Sequence, residues 1–280
     1  MKRPPPRVLP ALITPFGADG SVDAEAHRHN LSTLAGRGVE GFVMSGSTGQ
    51  GPYLMPGERE MLVSTARGVL GPGSYLLCGV QAESLAQALG QAEEAAQAGA
   101  DALLAMTPTT LVRGNDEAVA RFYRELGDRA PLPLFVYSVP ATTAYQIPVE
   151  VTVELASHPN IIGIKDSGAE AHRVPPLAAA IADGFVVMAG SSRVVNEFVR
   201  NGAHGAVTSS ANYAFELIVD TLTDGAAQQR LTALAGAVEA FGLAGTYAAA
   251  EATGLIAGAM RPPLQPLDAA DRAKVADLFS

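Results

Sequence analysis

Three groups of residues have the types and positions that carbonyl chemistry needs. Lys165 ends the apolar run IIGIK (161–165). Burial penalises an ammonium group, and the free amine it favours is the nucleophile that attacks a carbonyl carbon. The same position also suits a lysine that snorkels to solvent or pairs with the adjacent Asp166. Tyr137 ends the run LFVY (134–137), which directly precedes the lysine run. A phenol beside the amine can shuttle protons to a carbinolamine. Taken alone, it also suits a rim tyrosine with a packed ring and a wet hydroxyl. The third group is the loop SGSTGQGP (45–52). Gly46, Gly49 and Gly51 let the backbone turn tightly and expose its N–H groups, while Ser47 and Thr48 add hydroxyls. Such a loop can cradle a carboxylate or a phosphate. It is not a Walker loop, because no lysine follows the last glycine. An ordinary polar turn has the same composition.

These groups need elements to bring them together. Eight short apolar runs punctuate the chain: VLPALIT (8–14), GFVMS (41–45), YLLCGV (75–80), ALLAM (102–106), LFVY (134–137), IIGIK (161–165), FVVMAG (185–190) and AVTS (206–209). Most of the intervals hold helix-like segments such as 84–99 and 117–128, and in the latter Val119, Phe122, Tyr123 and Leu126 recur at helical spacing. Continuously apolar strands joined by helices imply parallel strands covered on the outside. Eight such units predict a (β/α)8 TIM barrel, whose active site sits at the C-terminal ends of the strands. Lys165, Tyr137 and the glycine loop all fall at those ends. A doubly wound open sheet fits less well, since no Gly-x-Gly-x-x-Gly turn follows the first run. Residues 1–225 are assigned to the barrel. Residues 226–280 are assigned to a C-terminal helical extension packed on it as one unit, interrupted by RPPLQP (261–266).

The gross composition narrows the function. A formal net charge of -9 argues against a nucleic-acid partner, and an anionic substrate must find its donors locally. Cys78 is the one cysteine, so a disulfide within the chain and a cysteine metal cluster are excluded, and its apolar run suits a core filler. The five histidines (27, 29, 158, 172 and 204) lack metal-ligand spacing and are expected in surface roles, with His204 before the eighth strand at the wrong end for chemistry. No metal and no cofactor is expected. Three prolines stand early in the chain where a signal peptide needs an apolar run, and no apolar stretch approaches a membrane span, so a cytoplasmic protein is expected.

Five motifs in order resemble the dihydrodipicolinate synthase / N-acetylneuraminate lyase family of class I pyruvate aldolases. They are LITPFGADGSVD (12–23), GSTGQGPYL (46–54), YSVPATT (137–143), GIKDSG (163–168) and GAVTSSAN (205–212). The resemblance implies Lys165 as the Schiff-base nucleophile and Tyr137 as the general acid-base. It implies that Ser47 and Thr48 hold the pyruvate carboxylate through their N–H groups, with the Ser47 hydroxyl in the proton path, and that Gly190 and Val207 line the pocket. The resemblance implies a 2-oxo acid (pyruvate) and an aldehyde as partners, and a homo-oligomer, tetramer or dimer, is expected. Two positions depart from the pattern. Pro108-Thr109-Thr110 stands where many members carry Pro-Tyr-Tyr, so Thr110 or water must replace the relay tyrosine. Thr142 stands where the synthase branch carries an arginine. Gly51-Pro52 and Lys165-Asp166-Ser167 are closer to 2-keto-3-deoxygluconate aldolases, and hydroxyls at Thr142, Ser167, Ser191 and Ser192 would suit a polyhydroxylated aldehyde. The leading expectation is therefore a keto-deoxy sugar acid aldolase. Its rivals are dihydrodipicolinate synthesis, dehydration of a keto-deoxy sugar acid by the same imine, and a non-catalytic 2-oxo acid binder.

Overall fold

The computed structural model describes residues 3–280. Eight strands form one sheet: β1 (Val8–Pro10), β2 (Gly41–Met44), β3 (Tyr75–Val80), β4 (Ala102–Met106), β5 (Leu134–Ser138), β6 (Ile161–Asp166), β7 (Val186–Ala189) and β8 (Gly205–Thr208). Every pairing is parallel, in the order β1-β8-β7-β6-β5-β4-β3-β2. The gap between β1 and β2 is spanned by a parallel bridge from Ala11 to Val43, with the Leu12 N–H donating to the Val43 carbonyl at 2.9 Å. The sheet thus closes into the expected (β/α)8 barrel.

This closure explains why the first apolar run is not one strand. Residues 8–10 pair with β8, and the chain then crosses to β2, so the ladder ends at Pro10 rather than at Thr14. The other seven runs match their strands within one residue at either end. Alternation along each strand sorts the side chains. Leu9, Val43, Leu77, Leu104, Phe135 and Val207 fill the barrel interior. Phe42, Leu103, Val136, Ile164 and Val187 face the surrounding helices. Helix starts are marked by polar caps: Asp23, Ser84 and Asn115 each accept a backbone N–H from the first turn of the following helix. In the helix Asp116–Arg129, Val119, Tyr123 and Leu126 are buried on one face.

Cys78 is fully buried, and burial pushes its thiol up to about 12, which suits core filling and opposes a nucleophilic role. His27 departs from its expected surface role. It lies buried against the helix Glu58–Leu70, with its Nε2 3.1 Å from the Leu62 carbonyl, and desolvation holds its ring down at about 4. No single helix is long and apolar enough to cross a membrane.

The C-terminal segment folds into helices at Gly225–Glu239, Gly242–Ala252 and Ala269–Ala276. One tie to the barrel is Tyr247, which is 3% exposed. The Tyr247 hydroxyl accepts from the Thr14 N–H at 3.2 Å and from the Gln50 side-chain amide at 2.8 Å, and it lies 3.2 Å from the Thr48 carbonyl. Gln50 in turn accepts from the Arg261 N–H at 2.9 Å. Burial pushes the Tyr247 phenol up to about 12, so it remains a donor at neutral pH. Tyr247→Phe is expected to leave two buried donors unpaired and to cost about 1–3 kcal/mol. Urea unfolding of the two proteins measures this. A loss below about 0.5 kcal/mol, the ordinary spread of surface changes, would contradict it.

Candidate active site

The C-terminal ends of β5 and β6 carry Tyr137 and Lys165 in register as Cα partners. That register is not the one with which the pairing begins. Leu134 pairs with Ile161, and then Phe135 pairs with Gly163, so Ile162 is an extra residue on β6. Without this shift Tyr137 would face Ile164, whose side chain points outward to the helices. Register shifts of this kind commonly re-aim a side chain beside a site. Gly163 permits it: a Cβ there would lie 2.4 Å from a Phe135 ring carbon. Of the three isoleucines before the lysine, only Ile162 packs with the interior residues, while Ile161 and Ile164 face the helices.

Lys165 is 6% exposed and Tyr137 is 5% exposed. The Lys165 Nζ stands 4.2 Å from the centre of the Tyr137 ring. Neither the Lys165 amine nor the Tyr137 hydroxyl has a hydrogen-bond or ion-pair partner among the described residues. Asp166 does not take the lysine. Its carboxylate accepts from the Arg173 Nε at 2.8 Å and from the Gly168 N–H at 2.8 Å, and both side chains of that ion pair are buried. Behind Tyr137, the Thr107 hydroxyl donates to the Tyr137 carbonyl at 3.2 Å and meets the Tyr123 hydroxyl at 3.0 Å. The strand end that carries the phenol is therefore fixed from the outer layer.

The loop after β2 is built around the Ser45 carbonyl. Ser45 and Gln50 both adopt left-handed backbone, each at φ 56°. A Cβ on Gly51 would come within 2.1 Å of the Ser45 oxygen, and one on Gly79 within 2.2 Å. Both positions therefore require glycine, and Gly79 on β3 was not part of the loop motif. Gly46 is not under the same constraint, since its nearest neighbour would be a Val43 methyl at 3.7 Å. The backbone N–H groups of Ser47 and Thr48 donate to no group among the described residues. Two free N–H groups in succession can bind an anion. The Ser47 hydroxyl accepts from the Gln81 amide at 3.3 Å.

A cavity of about 610 Å³ opens beside the glycine loop; Lys165 and Tyr137 are not themselves in its lining. Ser47, Thr48 and Thr142 are in its lining, as is Met106, the register partner of Tyr137 on β4. Sequence patterns did not point to the lining residues of the C-terminal segment, Glu239, Gly242, Leu243, Thr246 and Leu264, and Ser209 after β8 lay within the motif GAVTSSAN (205–212) without being singled out. Ser167 packs on Gly190, where a Cβ would meet its hydroxyl at 2.0 Å. The Ser191 hydroxyl accepts from the Arg193 N–H at 3.3 Å, and Ser192 turns to the Ser210 hydroxyl at 2.6 Å. Val207 is buried in the barrel interior. Thr110 is exposed, its N–H donating to the Glu83 carboxylate at 2.8 Å, and it is not in the cavity lining.

Comparison with known proteins identifies the family. The model of the dihydrodipicolinate synthetase family matches residues 4–280. A 4-hydroxy-tetrahydrodipicolinate synthase of Xanthomonas axonopodis pv. citri is 33% identical over 221 residues, covering 78% of this chain and 73% of that protein. A protein of the same name from Streptomyces coelicolor is 31% identical over 98% of this chain and 92% of its own length. Among solved structures, YagE, a prophage protein from E. coli K12 in complex with pyruvate, superimposes with a TM-score of 0.88 at 24% identity, over 97% of this chain and 96% of that one. At that identity the structural likeness speaks for the fold alone. The family match across the barrel and its extension makes this chain a member of the dihydrodipicolinate synthetase family, a family of class I Schiff-base lyases.

Proposed function

We propose that this lyase cleaves a 2-keto-3-deoxy sugar acid to pyruvate and an aldehyde through an imine on Lys165. The observation that carries the reading is the Lys165 amine: it is buried, lacks a partner, and lies 4.2 Å from the Tyr137 ring centre, on a strand end next to a cavity with free loop N–H groups. The Ser47 and Thr48 N–H groups hold the substrate carboxylate, a local source of donors that the net charge of -9 makes necessary. The Lys165 nitrogen adds to the C2 carbonyl. Tyr137, with the Ser47 hydroxyl, passes protons so that water leaves and the imine forms. Tyr137 then takes the C4 hydroxyl proton as the C3–C4 bond breaks, and that electron pair flows into the imine to give an enamine. The aldehyde departs, C3 is protonated, and hydrolysis frees pyruvate. Thr110 lies outside the cavity lining of a single chain, so we assign its relay place to water. Gly190 and Val207 act by shape, and Thr142, Ser167 and Ser191 offer hydroxyls to the polyol end.

A second reading has support in the relatives, which are named as synthases. Two observations weigh against that activity here. Thr142 lines the cavity where the resemblance puts an arginine for a second carboxylate, and a neutral hydroxyl does not replace a bidentate charge contact. Among the described residues the cavity lining holds no cation. A homo-oligomer is also proposed. Leu111, beside the Thr110 loop, is 93% exposed, an apolar side chain that a second copy would cover.

Tyr137→Phe is expected to keep the fold and lower turnover roughly 100-fold or more. Steady-state kinetics decide it, and near-wild-type turnover would remove the phenol from the proton path. For substrate choice, losing a charge-assisted contact costs about 1.5–3 kcal/mol, or roughly 10- to 150-fold. Cleavage of 2-keto-3-deoxygluconate is therefore expected to show a higher kcat/KM than condensation of pyruvate with aspartate semialdehyde. Side-by-side kinetics check this, and a synthase preference of about tenfold, equal to 1.36 kcal/mol, would overturn the substrate assignment.

A further inference from the structure

Among the described residues the cavity lining carries one charged side chain, and it comes from the C-terminal segment. Glu239 is the last residue of the helix Gly225–Glu239 and shares the lining with Ser47, Thr48 and Thr142. The remaining lining groups are hydroxyls, such as Ser209 and Thr246, or apolar side chains, such as Leu243 and Leu264. Arg193 approaches Glu239 through both Nε, at 3.1 Å, and Nη2, at 2.7 Å, and both donate to the same oxygen, Oε2. The other oxygen, Oε1, accepts from nothing among the described residues. Arg193 itself is not in the lining. The lining thus includes a carboxylate with one acceptor oxygen unused among the described residues, while the cation paired with it lies outside the lining.

We propose that Glu239 is a specificity residue that selects an uncharged, hydroxylated aldehyde and rejects one that carries a second anionic group. This rests on the reading of the cavity as a site for pyruvate plus an aldehyde. The free oxygen accepts hydrogen bonds from substrate hydroxyls, and such bonds to an ionised acceptor are stronger than neutral ones. The same charge repels a terminal carboxylate or phosphate, so one group supplies both the attractive and the repulsive element of selectivity. Arg193 tempers the repulsion without removing it. The pair is screened by water, with side-chain exposures of 53% for Arg193 and 36% for Glu239.

The test compares 2-keto-3-deoxygluconate with its 6-phosphate ester, two substrates that differ only in the terminal anion. The wild-type protein is expected to favour the uncharged compound by roughly tenfold or more in kcat/KM, a difference of 1.36 kcal/mol per decade. Glu239→Gln keeps the shape and still accepts from Arg193, and it is expected to narrow that ratio about tenfold, chiefly through the KM of the phosphate ester. Arg193→Ala leaves the carboxylate uncompensated and is expected to widen the ratio. Were Glu239 only a surface partner for Arg193, neither variant would move the ratio by more than about twofold, and that result would overturn the proposal with the aldolase reading intact. A wild-type protein that prefers the phosphate ester overturns it as well, even if Glu239→Gln does not fold. If neither compound releases pyruvate, the aldolase reading fails first and takes this inference with it.

Discussion

The C-terminal face of this barrel depends on a single register, Lys165 opposite Tyr137. Parallel neighbours on β5 and β6 would not meet this way without the extra residue at Ile162, and that shift is tolerated because Gly163 leaves room for the Phe135 ring. A lysine so placed is costly to bury, and the cheapest relief would be the adjacent carboxylate. The fold removes that relief by giving Asp166 to Arg173 and to the Gly168 N–H, a bonded and buried pair in its own right. The amine is left without a partner among the described residues, 4.2 Å from the centre of the Tyr137 ring. A reactive carbonyl is the partner that such an amine can take.

The glycine loop with the free Ser47 and Thr48 N–H groups is held by a different constraint. The Ser45 carbonyl lies against two backbone positions that cannot carry a side chain, Gly51 and Gly79, and the chain reaches this arrangement by way of left-handed residues at 45 and 50. Strain of this kind persists only where surrounding contacts over-determine it. Tyr247 supplies such contacts from the C-terminal helices, through Gln50, Thr14 and the Thr48 carbonyl. The extension thus supports the glycine loop and, through Glu239 and Thr246, forms a wall of the cavity.

This division tracks what was legible in the sequence. The eight strands were readable because each is a short apolar run between helical patterns, and a residue at the end of such a run points to the C-terminal face. That rule puts Lys165, Tyr137, Ser47 and Thr48 at this face, and the fold places them there. The first run misled because its residues serve two partners in turn, β8 and then β2, which no local pattern records. His27 was misread because its burial depends on the neighbouring helix Glu58–Leu70. Tyr247 and Glu239 lie in an Ala-rich stretch without chemical punctuation, and only tertiary contacts across some 200 residues give them meaning.

The central claim is that one amine, Lys165, carries the covalent chemistry. Incubation with pyruvate and sodium borohydride, followed by peptide mass mapping, tests it most directly. The account predicts one reduced pyruvyl adduct per chain, located on the peptide containing Lys165 and lost in Lys165→Ala. An adduct on another lysine, or no adduct at saturating pyruvate, would contradict it.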